Sequence, residues 1–220
     1  NLIDLATRQG NINQYIFASS GSVYGVKDEK NVTEDLQLVP ISAYNKTKMV
    51  AERVVQSYAD SMKIHSVRPA TVCGMSKRMR LDVAVNILTF QALENGEISV
   101  FGGDQIRPNI HIDDMVAVYH HFLQNCEVLT SGAYNAGFEN ISILDIARMV
   151  QNIIPCEIKV LASSDPRSYR QCSDKLVASG FKPRKSVIDA IIDIKNSYTS
   201  GELVDCEYYH TIKTMRGLMT

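Results

Sequence analysis

The chain has 220 residues, of which 45% are hydrophobic and 21% are charged, a composition typical of a globular protein that can bury a full core. Its 23 basic and 24 acidic residues are interspersed and give a net charge of −1, which argues against nucleic-acid and membrane-surface binding, because both usually require a basic patch. The longest apolar stretch, 83–93, contains Asn86, Thr89 and Gln91 and is too short and too polar for a transmembrane helix.

Segments with helical and with strand-like hydrophobic spacing alternate along the chain. The predicted helices are Leu2–Gln9, Ser42–Met62, Leu81–Asn95, Asp113–Gln124 and Ser142–Ile153. The predicted strands are Gln14–Ser19, Ile64–Arg68, Ile98–Phe101, Ala133–Asn135 and Glu157–Leu161. This alternation indicates an α/β fold with a parallel sheet. We expect the region from 197 onward to form a helix or a loosely held extension.

A doubly wound sheet normally begins with a strand and a glycine-rich turn that binds the pyrophosphate of a dinucleotide. This chain instead starts inside a helical pattern at Asn1, and no G-x-G-x-x-G follows a strand. Gly102 and Gly103 do follow a strand, but they lack the third glycine and the helix. We therefore expect the chain to be a fragment from which the dinucleotide-binding front portion is missing.

The strongest chemical signal is S-A-Y-N-K-T-K at Ser42–Lys48, where Tyr44 and Lys48 are four residues apart on a predicted helix. This spacing places both side chains on one face. A phenol is a poor base at neutral pH, but a neighbouring ammonium and a bound nicotinamide cation favour the phenolate. Tyr44 is then able to exchange a proton with a substrate hydroxyl whose carbon gives up hydride. By itself, Y-x-x-x-K also arises by chance on helix surfaces.

A second signal is F-A-S-S-G-S-V-Y-G at Phe17–Gly25, where small residues follow a predicted strand. Ligands of open α/β sheets bind at the carboxyl ends of the strands. A serine hydroxyl at this place can hold the same substrate oxygen that Tyr44 deprotonates. The alternative is a serine- and glycine-rich turn that only leaves the strand, and the presence of Tyr44 and Lys48 favours the functional interpretation.

Three motifs, S-S-G-S-V-Y-G, S-A-Y-N-K-T-K and S-V-R-P-A-T-V-C-G, occur in the order found in extended short-chain dehydrogenases/reductases. Over residues 1–195 the chain resembles the nucleotide-sugar epimerase/dehydratase branch, which includes UDP-glucose 4-epimerase. The resemblance implies the C-terminal part of a Rossmann-like doubly wound sheet plus a smaller α/β substrate-binding domain. It also implies NAD as cofactor, with NADP as the alternative, a nucleotide-sugar substrate and a homodimer in the full-length protein.

The same resemblance assigns the site residues. The catalytic residues are Ser20, Tyr44 and Lys48. The residues that contact the cofactor are Ser19, Tyr44, Lys48, Pro69, Thr71 and Val72. The residues that contact the substrate are Ser20, Ser22, Asn86, Val100, Arg107, Arg167 and Tyr169. For the domains we expect the remainder of the Rossmann-like domain in 1–75, a mainly substrate-binding region in 76–198 with some segments that return to the first domain, and a tail in 199–220.

The serine motif also bears on the reaction type. Dehydratases and decarboxylases of this branch usually carry an acidic residue at the position of Ser22 and often one at Gly21, whereas this chain has neither. The pattern favours an epimerase or a ketoreductase over a dehydratase. Together with the resemblance, it implies an NAD-dependent epimerase that acts at C4 of a UDP-hexose through a 4-keto intermediate. The alternatives are a keto-sugar reductase, a dehydratase, and a non-catalytic module that binds sugar nucleotides.

The cysteine and histidine patterns predict no metal site. The five cysteines are scattered without a C-x-x-C pair, which favours reduced thiols in the cytoplasm over disulfides or zinc. The adjacent His120 and His121 have no partner at ligand spacing. We expect His111 and Asp114 to stabilise a turn through hydrogen bonds.

Overall fold

The computed structural model describes residues 1–163 and 168–217 and shows an α/β chain. The strands are β1 (Gln14–Ala18), β2 (Lys63–Pro69), β3 (Thr71–Cys73), β4 (Glu97–Phe101), β5 (Ile106–His111), β6 (Gly132–Ala136), β7 (Glu139–Ser142) and β8 (Glu157–Leu161). The helices are α1 (Leu2–Gln9), α2 (Ala43–Gln56), α3 (Ala84–Asn95), α4 (Ile112–Gln124), α5 (Ile143–Ile153), α6 (Asp174–Ala178), α7 (Val187–Thr199) and α8 (Thr211–Gly217). None of these helices has the length and hydrophobicity that a transmembrane segment requires.

The described residues divide into two compact units. The first unit consists of 1–70, 114–138 and 168–183, and the second holds the remaining described residues. The break after Ala70 precedes the domain boundary expected at 75, and the segments 114–138 and 168–183 are the ones that return to the first unit. The expected tail from 199 onward belongs to the second unit, where Leu81 donates its N–H to the carbonyl of Tyr209 over 2.9 Å.

The first unit is built on a parallel sheet with the strand order β1-β2-β6. Its central strand, β2, is buried continuously from Ile64 to Arg68, as expected for a parallel strand covered on both faces. Ile64 packs with Ile3 of α1 and Val55 of α2 in one apolar cluster. Since Ala18 of β1 pairs with Val67 of β2, these two strands end at the same edge of the sheet.

A buried ion pair connects the sheet to α2. The guanidinium of Arg68 and the carboxylate of Glu52 are each about 5% exposed, and Arg68 Nε lies 3.1 and 3.2 Å from the two carboxylate oxygens. Burial by itself would lower the pKa of Arg68, but the hydrogen bonds to Glu52 and to Tyr24 outweigh it and raise that pKa. Removal of either partner would leave the other buried without its counter-group.

The second unit contains two small sheets and a helical core. One sheet has the order β3-β5-β7, with β3 parallel and β7 antiparallel to β5, and the other pairs β4 with β8 in parallel. Helices α3, α5 and α7 contribute Leu88, Ile146 and Ile191 to a common apolar cluster. A capping box, in which Ser186 and Asp189 satisfy each other's backbone N–H groups, begins α7.

Every element predicted from the sequence is present, with small shifts of its ends. Helix α2 stops at Gln56 rather than Met62, because the chain turns there and brings Tyr58 and Met62 onto the core of the first unit. Several elements escaped prediction, and they are β3, β5, β7, α6, α7 and α8. In β5 the proline at position 108 hid the strand, since proline removes a ladder donor and normally argues against a central strand.

We expect Glu52→Ala to lower the free energy of unfolding by roughly 3–5 kcal/mol, because it leaves the buried guanidinium of Arg68 without its counter-charge. Urea unfolding followed by circular dichroism at 222 nm measures this loss. The matched control is Arg8→Ala, which breaks an exposed ion pair with Asp4 and should cost less than about 0.5 kcal/mol. A loss below about 1 kcal/mol for Glu52→Ala would contradict this account of the pair.

Candidate active site

The serine motif forms a short 3₁₀ turn at the end of β1. Ser20 has extended backbone angles and begins the turn Gly21–Tyr24, with its hydroxyl accepting a hydrogen bond from the N–H of Ser22. Gly25 ends the turn at φ +70°, and a Cβ at this position would lie 2.0 Å from the carbonyl oxygen of Val39. Only glycine fits there, so this residue fixes where the turn ends.

The amino end of α2 carries the tyrosine and lysine of the second motif. Ser42 caps the helix by accepting a hydrogen bond from the N–H of Asn45 over 3.1 Å. Tyr44 is 57% exposed, and Lys48 Nζ lies 5.8 Å from the centre of its ring. Lys48 Nζ also donates to the carbonyl oxygen of Ala18 over 2.9 Å. Lys48 therefore joins α2 to the end of β1 and places its ammonium group near the ring of Tyr44.

The serine turn and α2 are also joined by side chains. Ser20 Oγ and Ser22 Oγ lie 2.8 Å apart, and Ser22 Oγ donates to Asn45 Oδ1 over 2.8 Å. Asn45 is only 5% exposed. Two of the predicted residues, Ser20 and Ser22, thus share one hydrogen-bonded chain with a residue that the sequence did not single out.

Tyr24, the last residue of the serine turn, binds the sheet through hydrogen bonds of its hydroxyl to β2 and β6. Its hydroxyl accepts a hydrogen bond from Arg68 Nη1 over 2.6 Å and donates to Asn135 Oδ1 over 2.8 Å. Burial raises the pKa of Tyr24 to about 12, although Arg68 and the bond to Asn135 act in the opposite direction. Tyr24 therefore stays protonated and serves as a structural donor, in contrast to the exposed Tyr44.

Ser19 provides a polar atom that no described residue satisfies. It is 3% exposed, and its hydroxyl has no hydrogen-bond partner among the described residues, while its backbone N–H donates to the carbonyl of Val67 over 2.8 Å. Buried hydroxyls are normally hydrogen-bonded. Pro69, also expected to contact a cofactor, is the last residue of β2 and is half-buried.

Three of the other predicted residues belong to β3 and α3 of the second unit. Thr71 and Val72 lie in β3, half-buried beside β5. The amide of Asn86 is buried, accepts from the N–H of Gly74 over 3.0 Å and donates to the carbonyl of Arg80 over 2.9 Å. These two bonds join the side chain to the loop that precedes α3, and the contact of Asn86 with the substrate stays a prediction.

The remaining predicted residues differ in exposure. Val100 is fully buried in the core of the second unit, whereas its neighbour Phe101 is 59% exposed. Arg107 lies in β5 and donates from Nη1 to the carbonyl of Ile106 over 3.1 Å. Tyr169 is half-buried in the first unit, and Arg167 lies outside the described residues.

The histidines serve structural roles in the described part of the chain. Asp113 N–H donates to His111 Nδ1 over 3.1 Å, so the ring proton is on Nε2 and points to Asp193 Oδ2 at 3.2 Å. This hydrogen bond accounts for the grouping of His111, Asp113 and Asp193 within 4.8 Å, a distance that would otherwise suit a metal. The expectation that His111 stabilises its turn is confirmed by these bonds. His121 bonds Ser179 Oγ over 2.9 Å.

Cys73 is buried in the core of the second unit. Its thiol contacts the carbonyl oxygen of Ile110 at 3.4 Å, and burial raises its pKa to about 12. A thiol that stays protonated at neutral pH is inert as a nucleophile. We therefore assign Cys73 to packing.

A sequence profile of the NAD dependent epimerase/dehydratase family matches residues 1–137. The chain belongs to this family. The match includes the serine turn, the Tyr44 helix and β2, which confirms the family resemblance drawn from the three motifs. The members of this family are described as NAD-dependent epimerases and dehydratases.

Individual relatives agree with this assignment. UDP-glucose 4-epimerase of Lactobacillus helveticus is 27% identical over 212 residues, which are 85% of this chain and 64% of that protein. The uncharacterized UDP-glucose epimerase YtcB of Bacillus subtilis (strain 168) is 33% identical over 151 residues, 67% of this chain and 47% of that protein. The chain thus spans between about half and two-thirds of the length of these relatives.

The fold agrees as well. The crystal structure of UDP-glucuronic acid 4-epimerase from Bacillus cereus, in complex with UDP-glucuronic acid and NAD, superimposes with a TM-score of 0.75 and 27% identity. The superposition covers 91% of this chain and 68% of the Bacillus cereus chain. The predicted Rossmann-like α/β fold is confirmed by this similarity.

Proposed function

We propose that this chain is the catalytic and substrate-binding part of an NAD-dependent nucleotide-sugar epimerase that acts at C4 of a UDP-hexose. The observation that carries the proposal is the placement of Lys48 Nζ between the ring of the exposed Tyr44 and the end of β1, next to the serine turn. The 4-epimerases among its relatives support the position of the reaction on the sugar.

In this proposal, Tyr44 removes the proton of the sugar O4 and later returns it. The ammonium of Lys48 favours the phenolate form of Tyr44 by its charge. Ser20 binds O4 and holds it in place beside the phenol. When bound, NAD supplies reversible hydride transfer at C4. Rotation of the 4-keto sugar would present its opposite face to the nicotinamide. Return of the hydride to that face would invert the configuration at C4.

The first unit offers groups that fit the cofactor. The buried hydroxyl of Ser19 has no partner among the described residues, and a polar group of a bound cofactor would satisfy it. We assign Ser19, Tyr44, Lys48 and Pro69 of this unit to cofactor contacts. Thr71 and Val72, in β3, complete the set expected from the family motif.

For the substrate, we assign Arg107 and Arg167 to the diphosphate, because a planar guanidinium matches phosphate oxygens. The backbone of Val100 serves the nucleotide base, with the exposed ring of Phe101 beside it in the chain. We assign Tyr169 to the sugar. The substrate is a nucleotide sugar, and a UDP-hexose is the form that the relatives favour.

The serine turn supports an epimerase or a reductase over a dehydratase. Dehydration requires an acid and a base around the carbons that lose water, and Ser22 supplies neither. A Cβ at Gly21 would lie 2.4 Å from Nε2 of Gln171, so an acidic side chain has no space there unless Gln171 moves. The alternative within this site is a keto-sugar reductase, in which the same Tyr44 donates its proton to the reduced oxygen.

We also propose that the full-length protein is a homodimer in the cytoplasm. Helices α1 and α2 leave Leu2, Leu5, Val50 and Val54 half or more exposed, and exposed apolar side chains of this kind mark association surfaces. All five cysteines are free thiols, in keeping with a reducing compartment.

We expect light scattering after size exclusion to give twice the chain mass for the longest open reading frame that contains this chain, and Val50→Glu/Val54→Glu in it to give a monomer, because buried like charges oppose association. Val177→Glu, which changes an exposed apolar residue of α6, serves as the control and should leave the mass unchanged. A monomeric unmodified protein, or a dimer that survives the double change, would overturn the dimer proposal.

We expect the protein to interconvert two C4 epimers of a UDP-hexose in the presence of NAD, and Tyr44→Phe to lower that rate by about 10²–10⁴-fold, because the phenylalanine ring has no proton to exchange. The measurement is NMR of the anomeric protons over a panel of nucleotide sugars, for this chain and for the longest open reading frame that contains it.

Other outcomes of the same measurement favour the alternatives. Consumption of NADPH with a keto sugar, without interconversion of epimers, would establish a reductase. Binding of a UDP-hexose without turnover in either protein would establish a non-catalytic module. Full activity in Tyr44→Phe would remove Tyr44 from the mechanism.

A further inference from the structure

The hydrogen-bonded chain from Ser20 through Ser22 to Asn45 has a defined direction. Each serine hydroxyl has one proton to donate. Ser22 donates its proton to Asn45 Oδ1, so in its 2.8 Å contact with Ser20 it can only accept. Ser20 therefore donates to Ser22 when no substrate is bound.

This direction determines what Ser20 offers to a ligand. Ser20 Oγ accepts one hydrogen bond from the N–H of Ser22 over 3.3 Å, and a hydroxyl oxygen has two acceptor positions. One acceptor position of Ser20 Oγ is therefore left for a ligand, while the Ser20 proton is already donated to Ser22. In this state Ser20 offers a ligand one acceptor position, and its proton becomes available only when it turns away from Ser22.

Asn45, the last residue of this hydrogen-bonded series, is held in a fixed position. Asn45 is 5% exposed, so water competes poorly for its amide oxygen. Its backbone N–H is bound by the capping hydroxyl of Ser42, which fixes the residue in the first turn of α2. The amide of Asn45 is thus a fixed acceptor against which the two serine hydroxyls align.

We propose that Ser22 and Asn45 are positioning residues that hold Ser20 Oγ beside the reacting oxygen of the sugar. This inference rests on the proposed function of Ser20. When the reacting carbon becomes a ketone, the Ser20 proton turns from Ser22 to the ketone oxygen, and the bond from Ser22 to Asn45 remains. Ser22 acts through Ser20 in this account, which differs from the direct sugar contact expected from the sequence.

The test compares kcat and KM for the interconversion of C4 epimers in single variants. Ser22→Ala and Asn45→Ala should each lower kcat by about tenfold, with KM changed by less than about threefold, because they disturb the alignment of one group at the reacting oxygen and leave the rest of the binding surface intact. Ser22→Thr keeps the hydroxyl and should stay within about twofold of the unmodified protein. Thermal melting by circular dichroism confirms that each variant is folded.

A matched control is Ser57→Ala, which removes a hydroxyl at the other end of α2 that bonds only the carbonyl of Val54 among its described contacts. It should leave kcat unchanged. The sharpest comparison uses a Ser20→Ala background, in which Ser22→Ala should cause no further loss, because residues that act as a unit are not additive.

The outcomes separate this inference from the proposed function. No interconversion by the unmodified protein overturns the proposed function itself. An active protein that is impaired by Ser20→Ala overturns the inference alone if Ser22→Ala and Asn45→Ala leave its kcat unchanged. Losses that add fully in the Ser20→Ala background overturn it as well, since they would show that Ser22 acts independently of Ser20.

Discussion

The buried guanidinium of Arg68 connects the segments on which the proposed catalytic residues depend. It binds the carboxylate of Glu52, two turns beyond Tyr44 on α2, and the hydroxyl of Tyr24, at the end of the serine turn. Its own carbonyl accepts a hydrogen bond from Gln171 over 2.9 Å. A charge removed from water is stable only when its partners are correctly placed, so this one group imposes a joint geometry on α2, β2 and the serine turn.

The hydrogen-bonded network around Arg68 is buried, whereas Tyr44 on the same helix as Glu52 is exposed to solvent. Tyr24 is buried and stays protonated because its pKa is raised to about 12, while Tyr44, on the helix held by the same network, is exposed. Two tyrosines in one unit thus have opposite environments, which match the fixed donor and the reacting group of the proposed function. A buried, hydrogen-bonded support below an exposed reacting group is the arrangement that catalysis by positioned groups requires.

Most of the first unit could be predicted from the sequence, because its strands are short apolar runs and its helices have regular spacing. The serine turn and the Tyr44 helix were found through their motifs. Arg68 and Glu52 were not, since their pairing joins residues far apart in sequence and a charged residue in a chain is usually a surface residue. The pairing becomes apparent only when β2 and α2 are packed.

The second unit was harder to predict. Strand β5 was hidden by Pro108, and β3 contains only three residues, too few for a periodic pattern. The amide of Asn86 matched a substrate-binding position in the motif, yet in the structure it bonds the backbone of its own loop. A polar residue on a helix can serve a ligand or the chain equally well, and sequence alone does not distinguish the two.

The central claim is that the residues around Tyr44 support epimerisation by oxidation and reduction at one carbon, and isotope retention tests it most directly. A UDP-hexose with deuterium at C4 would be converted in ordinary water by the longest open reading frame that contains this chain, supplied with unlabelled NAD, and both epimers would be analysed by mass spectrometry. The account predicts that the deuterium stays at C4 in both epimers, because it leaves and returns as hydride and never exchanges with water. Loss of the deuterium to water would contradict the account, since it would show that C4 is inverted by proton transfer.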